Sequence, residues 1–198
     1  LDIPALPNDI AVVGILRVAV APEGEGWRGT VIYRSDDGGE LGGNTFNVLV
    51  GTNISETIGG SVTLLAAPSG MVNVFDIGNT VDIVLINGEL SSVTELAVFN
   101  GANVAVLGNE IIQFQNATLL SEGKYRLSKL LRGRLGTEHE VGTHVAGEVF
   151  VLLSSTINRV AMQSSLIGLS RFYKPVSVGG TPGTTTEEAF TYTGKTLR

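Results

Sequence analysis

The sequence predicts a mainly β protein, an antiparallel β-sandwich or a barrel-like fold with one or two short helices. Apolar and β-branched residues occur in runs of about five to eight, several of which alternate with polar residues as half-buried strands do. Turn residues interrupt these runs roughly every eight to twelve positions, and no long 3.6-residue period marks an extended helix. The 198-residue chain has 26 glycines and only 6 prolines, a balance that favours many tight turns over a disordered linker.

The predicted strands follow one another along most of the chain. Gly14–Pro22 and Trp27–Ser35 are the first two, and the second ends at the turn residues Asp36–Gly39. Asn79–Leu90 alternates in side-chain direction and contains the hairpin signal Asn87–Gly88. The remaining predicted strands are NTFNVLVGT, GGSVTLLAAP, one run on each side of Asn100–Gly101, Glu110–Gln115, GEVFVLLSS and RFYKPVSVG.

The domain organisation has one soft boundary. Near Pro68–Asp76 the stretch APSGMVNVFD interrupts the strand pattern. It divides the chain into an N-terminal β subdomain, residues 1–75, and a β-rich domain, residues 76–198. The alternative is a single domain excised from a larger chain, because the start at Leu1 and the stretch IPALP are typical of an inter-domain linker.

The composition excludes several classes of protein. The formal net charge of −6 and the sequence pI near 4.9 argue against nucleic-acid binding, which needs a basic face. The chain has no cysteine, which removes disulfides, thiolate catalysis and thiolate metal sites. No apolar run reaches the roughly 18–20 residues that a membrane-spanning helix needs. We therefore expect no nucleic-acid partner, no membrane span and no cofactor.

No residue pattern predicts catalysis. The only histidines, His139 and His144, are five positions apart, whereas a helical zinc pair lies one turn apart and needs a third ligand. Glu138, Glu140 and Glu148 lie nearby in sequence and keep a metal site open as a minor alternative. The pattern G-x-S-x-G is absent, so a serine-hydrolase triad has no anchor. We expect a non-enzymatic protein with no metal site.

The most unusual stretch is KYRLSKLLRGRLGTEHE, Lys124–Glu140, because its basic residues are so concentrated. Leu127, Leu130 and Leu131 have the i, i+3, i+4 spacing of one or two helical turns that bury a leucine patch. Gly133 would end these turns in the left-handed conformation. The first part of the stretch is therefore predicted to be a short helical turn anchored by leucines.

The second part of this stretch predicts a new helical start. Thr137 and Glu140 have the T-x-x-E spacing of a capping box, with Gly136 just before them. Gly133, Gly136, Thr137 and Glu140 are therefore assigned structural roles in a turn and its cap.

The basic side chains Lys129, Arg132 and Arg134 keep two functional alternatives open. The backbone N–H groups of GRLGT, beside two arginines, could hold a phosphate or a carboxylate. The arginines could instead pair with acids of a neighbouring subunit, which we rank above a small-molecule site. On that hypothesis, replacing Arg132 and Arg134 with Ala leaves the fold intact and impairs assembly.

The block from Phe99 to Leu153, FNGANVAVLGNEIIQFQNATLLSEGKYRLSKLLRGRLGTEHEVGTHVAGEVFVLL, carries a resemblance to a known family. It resembles the C-terminal part of the large tail-tip, or hub, proteins of siphophage-like prophages and gene transfer agents. The segments LDIPALP, GWRGTVIYRSDDGG, NTVDIVLINGELSSVTE and RFYKPVSVGGT match the family's order, so the resemblance covers nearly the whole chain. One departure is Leu135, where family members often have a second arginine.

The resemblance implies a structural virion protein of the tail tip or baseplate hub, made in the bacterial cytoplasm. It implies roles in tail assembly and host-surface contact. Its partners would be other tail proteins and copies of itself, in a ring or trimer. Glycosidase activity in the family belongs to a TIM-barrel-like region, and this chain lacks the required alternation of strands and helices. No catalytic residue is therefore carried over.

A carbohydrate-binding β-sandwich that recognises host surface glycan is the alternative from a different class. Such sites usually display exposed aromatic side chains as platforms for the sugar. This chain has 6% aromatic residues and one Trp, which makes sugar binding the weaker hypothesis.

Overall fold

The computed structural model describes residues 15–22 and 24–193, and its strands are antiparallel, as the sequence predicts. It divides into two compact units. The first combines the described residues of Leu1–Ser55 and Ile157–Thr196, and the second is Glu56–Thr156. The stretch Pro68–Asp76, where the sequence predicts a soft boundary, lies inside the second unit. The linker-like start of the chain lies outside the described residues.

The first unit contains two antiparallel sheets. One sheet pairs β1 with β10, and the other has the strand order β12–β11–β2–β3. Leu16, Met162 and Tyr192 form its buried apolar cluster. The strands of this unit are β1 (Ile15–Val18), β2 (Thr30–Ser35), β3 (Asn47–Thr52), β10 (Asn158–Ala161), β11 (Ser170–Ser177) and β12 (Glu188–Thr191).

Side chains organise the turn that follows β2. The Ser35 hydroxyl donates to Asp37 Oδ1 at 2.6 Å and accepts from the Gly39 N–H at 2.9 Å. The Asp37 carboxylate also accepts from the Thr45 N–H at 3.2 Å. These hydrogen bonds, from Ser35 first and Thr45 second, hold the pKa of Asp37 below its ordinary value. The Asp residue therefore caps the turn that the sequence signals, as Asx turns do.

The second unit is a closed six-stranded barrel with the order β4–β5–β8–β7–β6–β9, in which β9 pairs with β4. Closure leaves no open sheet edge. Ala105, Leu107, Ile112 and Phe114 alternate along two neighbouring strands and belong to the buried core. The strands are β4 (Ile58–Ser61), β5 (Val81–Asn87), β6 (Val104–Leu107), β7 (Glu110–Ser121), β8 (Lys124–Leu131) and β9 (Val149–Leu152).

Within the described residues the only α-helix is α1 (Glu95–Phe99), where the sequence predicted a strand before Asn100–Gly101. That prediction is wrong on this side of the turn, and β6 follows on the other side. The Thr94 hydroxyl accepts from the Ala97 N–H at 3.2 Å and caps the helix. Gly101, with φ of 92°, leaves it in the left-handed region. No helix in the described part of the chain is long and apolar enough to cross a membrane.

The predicted leucine-anchored helical turn is also wrong, because the residues involved form β8. Leu127 lies opposite Ala117 on β7, and Leu130 lies opposite Phe114. Both leucines reach the barrel core, although they are three residues apart. Between them Lys129 has φ of 54°, which interrupts the two-residue alternation of the strand. This irregularity produces the i, i+3 spacing that resembles a helix.

Candidate functional site

The site that stands out is a group of charged side chains buried at one end of the barrel. Glu110 begins β7, and Arg132 follows directly after β8. The pairing of Gln113 with Leu131 places the start of β7 beside the end of β8. Antiparallel pairing therefore brings together an acid and a base that are 22 residues apart in sequence.

Arg132 and Glu110 form a bidentate ion pair. Arg132 Nε donates to Glu110 Oε1 at 2.9 Å, and Arg132 Nη2 donates to Glu110 Oε2 at 2.8 Å. Both side chains are 0% exposed. The Gly133 N–H donates to Glu110 Oε1 at 2.6 Å. The planar guanidinium matches the carboxylate in this geometry, and a lysine would not reproduce it.

The third member, Asp76, joins the group from a long loop of the barrel unit. Arg132 Nη1 donates to Asp76 Oδ2 at 3.2 Å and to the Ala66 carbonyl at 2.9 Å. The backbone of Asp76 exchanges two hydrogen bonds with Leu130, at 2.7 and 3.0 Å. Arg132 therefore fastens the loop to the end of β8.

His144 lies between two carboxylates. Its Nε2 is 2.6 Å from Glu110 Oε2, and its Nδ1 is 2.6 Å from Glu148 Oε2. The imidazole is 2% exposed, and the Glu148 side chain is 17% exposed. Asp76, Glu110, Arg132, His144 and Glu148 are hereafter called the buried charge cluster.

The cluster shifts the pKa values of its two central members. Burial acts to lower the pKa of His144, but the hydrogen bonds to Glu110 and Glu148 outweigh it, and the pKa is raised. Burial acts to raise the pKa of Glu110, but the hydrogen bonds from His144, Arg132 and Gly133 outweigh it, and the pKa is lowered. Both shifts favour the charged forms that the pairing requires.

The residues between β8 and β9, 132–148, are hereafter called the crossing segment. The segment leaves β8 and enters β9 at the same end of the barrel, where β7 begins and β4 ends. It contacts both strands: the Ile111 N–H donates to Thr137 Oγ1, and the Gly147 N–H donates to the Ser61 carbonyl. It therefore runs across that end of the barrel.

The predicted capping box at Thr137 and Glu140 is wrong. The Thr137 side chain makes no cap bond to the turn that follows it. Its hydroxyl accepts from the buried Ile111 N–H at 2.9 Å and donates to the Arg134 carbonyl at 2.8 Å. The N–H of Glu140 donates to the Thr137 carbonyl at 3.0 Å, within a short 3-10 turn. A buried amide on β7 outcompetes the local cap for the hydroxyl.

Gly133 is left-handed, with φ of 57°, but it follows a strand rather than ending a helix. A Cβ there would come within 2.8 Å of Glu138 Cα, so the close approach also requires glycine. Gly136 has φ of 88° and ends a 3-10 turn, Arg134–Gly136. Both glycines are therefore left-handed and lie in turns, and the helix stop predicted at Gly133 is wrong because a strand precedes it.

The three basic residues predicted as an interface or anion contact have different surroundings. For Arg132 the prediction is wrong, because its side chain is fully buried and paired within the chain. Lys129 is 41% exposed and donates to Gln115 Oε1 at 3.1 Å. Arg134 Nε donates to Gln113 Oε1 at 3.0 Å. For Lys129 and Arg134 a role in partner contact stays a prediction.

The two histidines, which are close in sequence, have different surroundings in the structure. His139 is 68% exposed and has Glu140 as its acidic neighbour, 3.4 Å away. His144 is buried, and each of its ring nitrogens lies within hydrogen-bonding distance of a carboxylate. Among the described residues no group of three or more His, Asp and Glu side chains is placed to hold a metal ion. The sequence analysis considered His144 only as a possible metal ligand. It missed the pairing of His144 with Glu110, because the two residues are 34 positions apart in the chain.

Residues 56–151 match the family Rcc01698-like, C-terminal. The match covers just under half of the chain and nearly all of the barrel unit, including every member of the buried charge cluster. This family is associated with the gene transfer agent of Rhodobacter capsulatus. The match is consistent with the phage or gene-transfer-agent relationship expected from the sequence motifs. No curated protein matches the chain.

Proposed function

We propose that this chain is a non-enzymatic structural component of a phage or gene-transfer-agent tail tip, or baseplate hub. It acts in tail assembly and in contact with the host surface. The observation that carries the proposal is the match of the barrel unit to a gene-transfer-agent-associated family. The resemblance of Phe99–Leu153 to tail-tip proteins supports the more specific role.

The chemistry of the buried charge cluster supports a structural role. Its strongest acid–base pair, Glu110 and Arg132, has no exposed surface, and its hydrogen-bonding atoms are directed at one another. A catalytic acid or base must come within hydrogen-bonding reach of a substrate. Here the same groups fasten the loop at Asp76 and the crossing segment to the barrel.

An exposed apolar cluster offers a surface for association. The rings of Phe75 and Phe99 lie 5.5 Å apart, centroid to centroid, so the long loop meets α1. Phe99 is 60% exposed and Leu96, three residues earlier on the helix, is 69% exposed. Exposed apolar residues grouped in this way are common at protein–protein contacts. We propose that they contact a neighbouring tail protein.

The proposal is tested by association with tail proteins. The chain is purified, its mass measured by light scattering, and the proteins encoded beside it are presented as pull-down partners. Capture of a tail protein is expected, and Leu96→Ser with Phe99→Ser should weaken it at least tenfold. Leu41→Ser is the matched control, since Leu41 is 99% exposed in the other unit. Failure to capture any tail protein in any oligomeric state would contradict the proposal.

Two further assays separate the proposal from its rivals. Glycan-array binding, or a sugar-dependent rise in Tm, would favour the carbohydrate-binding alternative. Turnover of purified cell wall would show that the chain is a hydrolase. The structural role predicts neither result.

A further inference from the structure

We propose that His144, held between Glu110 and Glu148, is a proton-dependent latch that keeps the crossing segment closed over the end of the barrel and releases it as pH rises. This inference does not depend on the proposed function. It follows from the number of protons that the observed contacts require.

The contacts around His144 need one proton more than the neutral groups can supply. Both ring nitrogens lie 2.6 Å from carboxylate oxygens. A neutral imidazole has a single N–H, and an ionised carboxylate has no donor. With neutral His144, one of the two short contacts would set a nitrogen lone pair against a carboxylate. The closed geometry therefore holds one additional proton, shared by the coupled set of His144 and its two carboxylates.

The charges around His144 show which contact fails when that proton leaves. Glu110 faces it from β7, and Glu148 faces it from the last position of the crossing segment, just before β9. Arg132, which stays charged, donates to both Glu110 and Asp76. With the proton the cluster has two positive and three negative groups, and without it one positive group faces three. Glu110 keeps Arg132 and the Gly133 N–H, so Glu148 is left without a donor when the remaining N–H of the neutral imidazole points at Glu110. With the other tautomer the ring lone pair faces Glu110 instead, so in either case His144 cannot hold both carboxylates.

The position of Glu148 allows it to leave. Its side chain is the most exposed of the three groups around the proton, at 17%. It occupies space next to Gly108, where a Cβ would come within 2.8 Å of the Glu148 carboxyl carbon. Gly108 thus leaves room for the latched carboxylate, and partial exposure gives it a route to water. Hydration of a free carboxylate is strongly favourable, which drives the release.

The part of the crossing segment that loosens lies between the remaining anchors. Thr137 stays bonded to the Ile111 N–H, and the Glu148 N–H stays bonded to Ser61 Oγ at 3.1 Å. Residues 138–147 between these anchors contain short-range turns, such as Val141 N–H to the Glu138 carbonyl at 3.3 Å. His144 is the buried side chain of this stretch. Once it is released, the contacts that remain include these turns, the Gly147 contact and the hydrogen bond from Ser61 Oγ to the Val145 carbonyl at 3.4 Å.

The direction of the pH dependence follows from proton linkage. Protonated His144 is stabilised in the closed state, where its pKa is raised, relative to the open state. Closure therefore has its full stability below the ordinary histidine pKa and loses it as pH rises through the raised value. Between these two values the closing equilibrium falls about tenfold per pH unit.

The test uses the full chain in hydrogen exchange followed by mass spectrometry from about pH 6 to about pH 9. After correction for intrinsic exchange rates, amides of 138–147 should lose protection as pH rises, and those of β7 should not. His144→Gln removes the proton and should give low protection at every pH. Glu148→Gln supplies a donor to neutral His144 and should remove the pH dependence while keeping protection.

His139→Gln is the matched control. Because His139 is exposed, this substitution should leave the pH profile of hydrogen exchange unchanged. It also assigns the two histidine resonances in an NMR titration. His144 should titrate above the ordinary histidine pKa. The proposal is overturned if His144 titrates at or below that ordinary value, or if 138–147 keeps the same corrected protection across the range. A Glu148→Gln protein with unchanged pH dependence would also overturn it, even if His144→Gln fails to fold.

Discussion

Replacement of Arg132 by Ala should severely destabilise the barrel unit. The side chain is 0% exposed and supplies donors to Glu110, Asp76 and the Ala66 carbonyl. Its removal leaves a buried carboxylate with only His144 and the Gly133 N–H as donors. Breaking a buried pair by removing one partner costs about 3–5 kcal/mol. A unit of this size has a free energy of unfolding of about 5–15 kcal/mol, so the loss is a large fraction of it.

The measurement is urea unfolding of the full chain, with Arg126→Ala as the matched control. Arg126 also makes a bidentate pair, to Asp82 at 2.7 and 3.0 Å, but its side chain is 48% exposed. Its partner Asp82 is 6% exposed but keeps Lys124 at 3.7 Å, and the Arg126 guanidinium is partly solvated, so Arg126→Ala should cost less than Arg132→Ala. Equal losses for the two variants would refute the argument that burial decides the cost. Because Arg132 is buried, we now expect that replacing Arg132 and Arg134 with Ala destabilises the unit, in contrast to the prediction from the sequence that the fold stays intact.

Three further predictions concern the barrel unit. Thr137→Val should lower the free energy of unfolding by about 1–3 kcal/mol, because the buried Ile111 N–H loses its acceptor. Thr137→Ser keeps the hydroxyl and should lower it far less; urea unfolding measures both variants. Because the pKa of Glu110 is lowered in the folded state, ionised Glu110 stabilises the fold fully above the ordinary glutamate pKa. This stabilisation is lost as pH falls through the lower folded value. As pH decreases below that ordinary pKa, the free energy of unfolding should therefore fall more steeply in the natural protein than in Glu110→Gln. Equal slopes would exclude Glu110 as the cause of the acid destabilisation. The fragment 56–156 should fold alone, because the Glu56 carboxylate accepts from Ser154 Oγ at 2.6 Å and Thr156 Oγ1 at 2.9 Å and ties its two ends together; a non-cooperative thermal transition by circular dichroism would contradict this.

Local patterns of the sequence predicted the fold class but not the arrangement of the strands. Alternation and turn residues located most of the strands, because both are short-range properties of the backbone. Barrel closure depends on the pairing of β4 with β9, whose residues Ile58 and Val151 are far apart in the chain. The compact barrel unit also begins at Glu56 and ends at Thr156, so a single boundary could not describe it.

The candidate site was only partly predictable for a similar reason. The left-handed conformation of Gly133 was predictable, because glycine tolerates it without steric cost. The burial of Arg132 was not, because it depends on Glu110 and Asp76, which pairing across the barrel brings to the same place. The leucine spacing gave a false helical signal for one local cause, the positive φ of Lys129 in the middle of β8. A pattern of three leucines cannot distinguish that irregularity from a helical turn.

The burial of Arg132 changes where an assembly surface should be sought. Its charge is neutralised inside the barrel unit, so of the three basic residues predicted as interface contacts only Lys129 and Arg134 remain candidates. Both already donate to glutamine side chains of β7, and a partner carboxylate would have to replace those bonds at a small net gain. The exposed side chains of Leu96 and Phe99 lose only water on contact, and burial of their apolar area is favourable at about 25 cal/mol per Å². The α1 surface is therefore the better candidate for the proposed contact with a tail protein. Leu96→Ser with Phe99→Ser should weaken partner capture more than Lys129→Ala with Arg134→Ala.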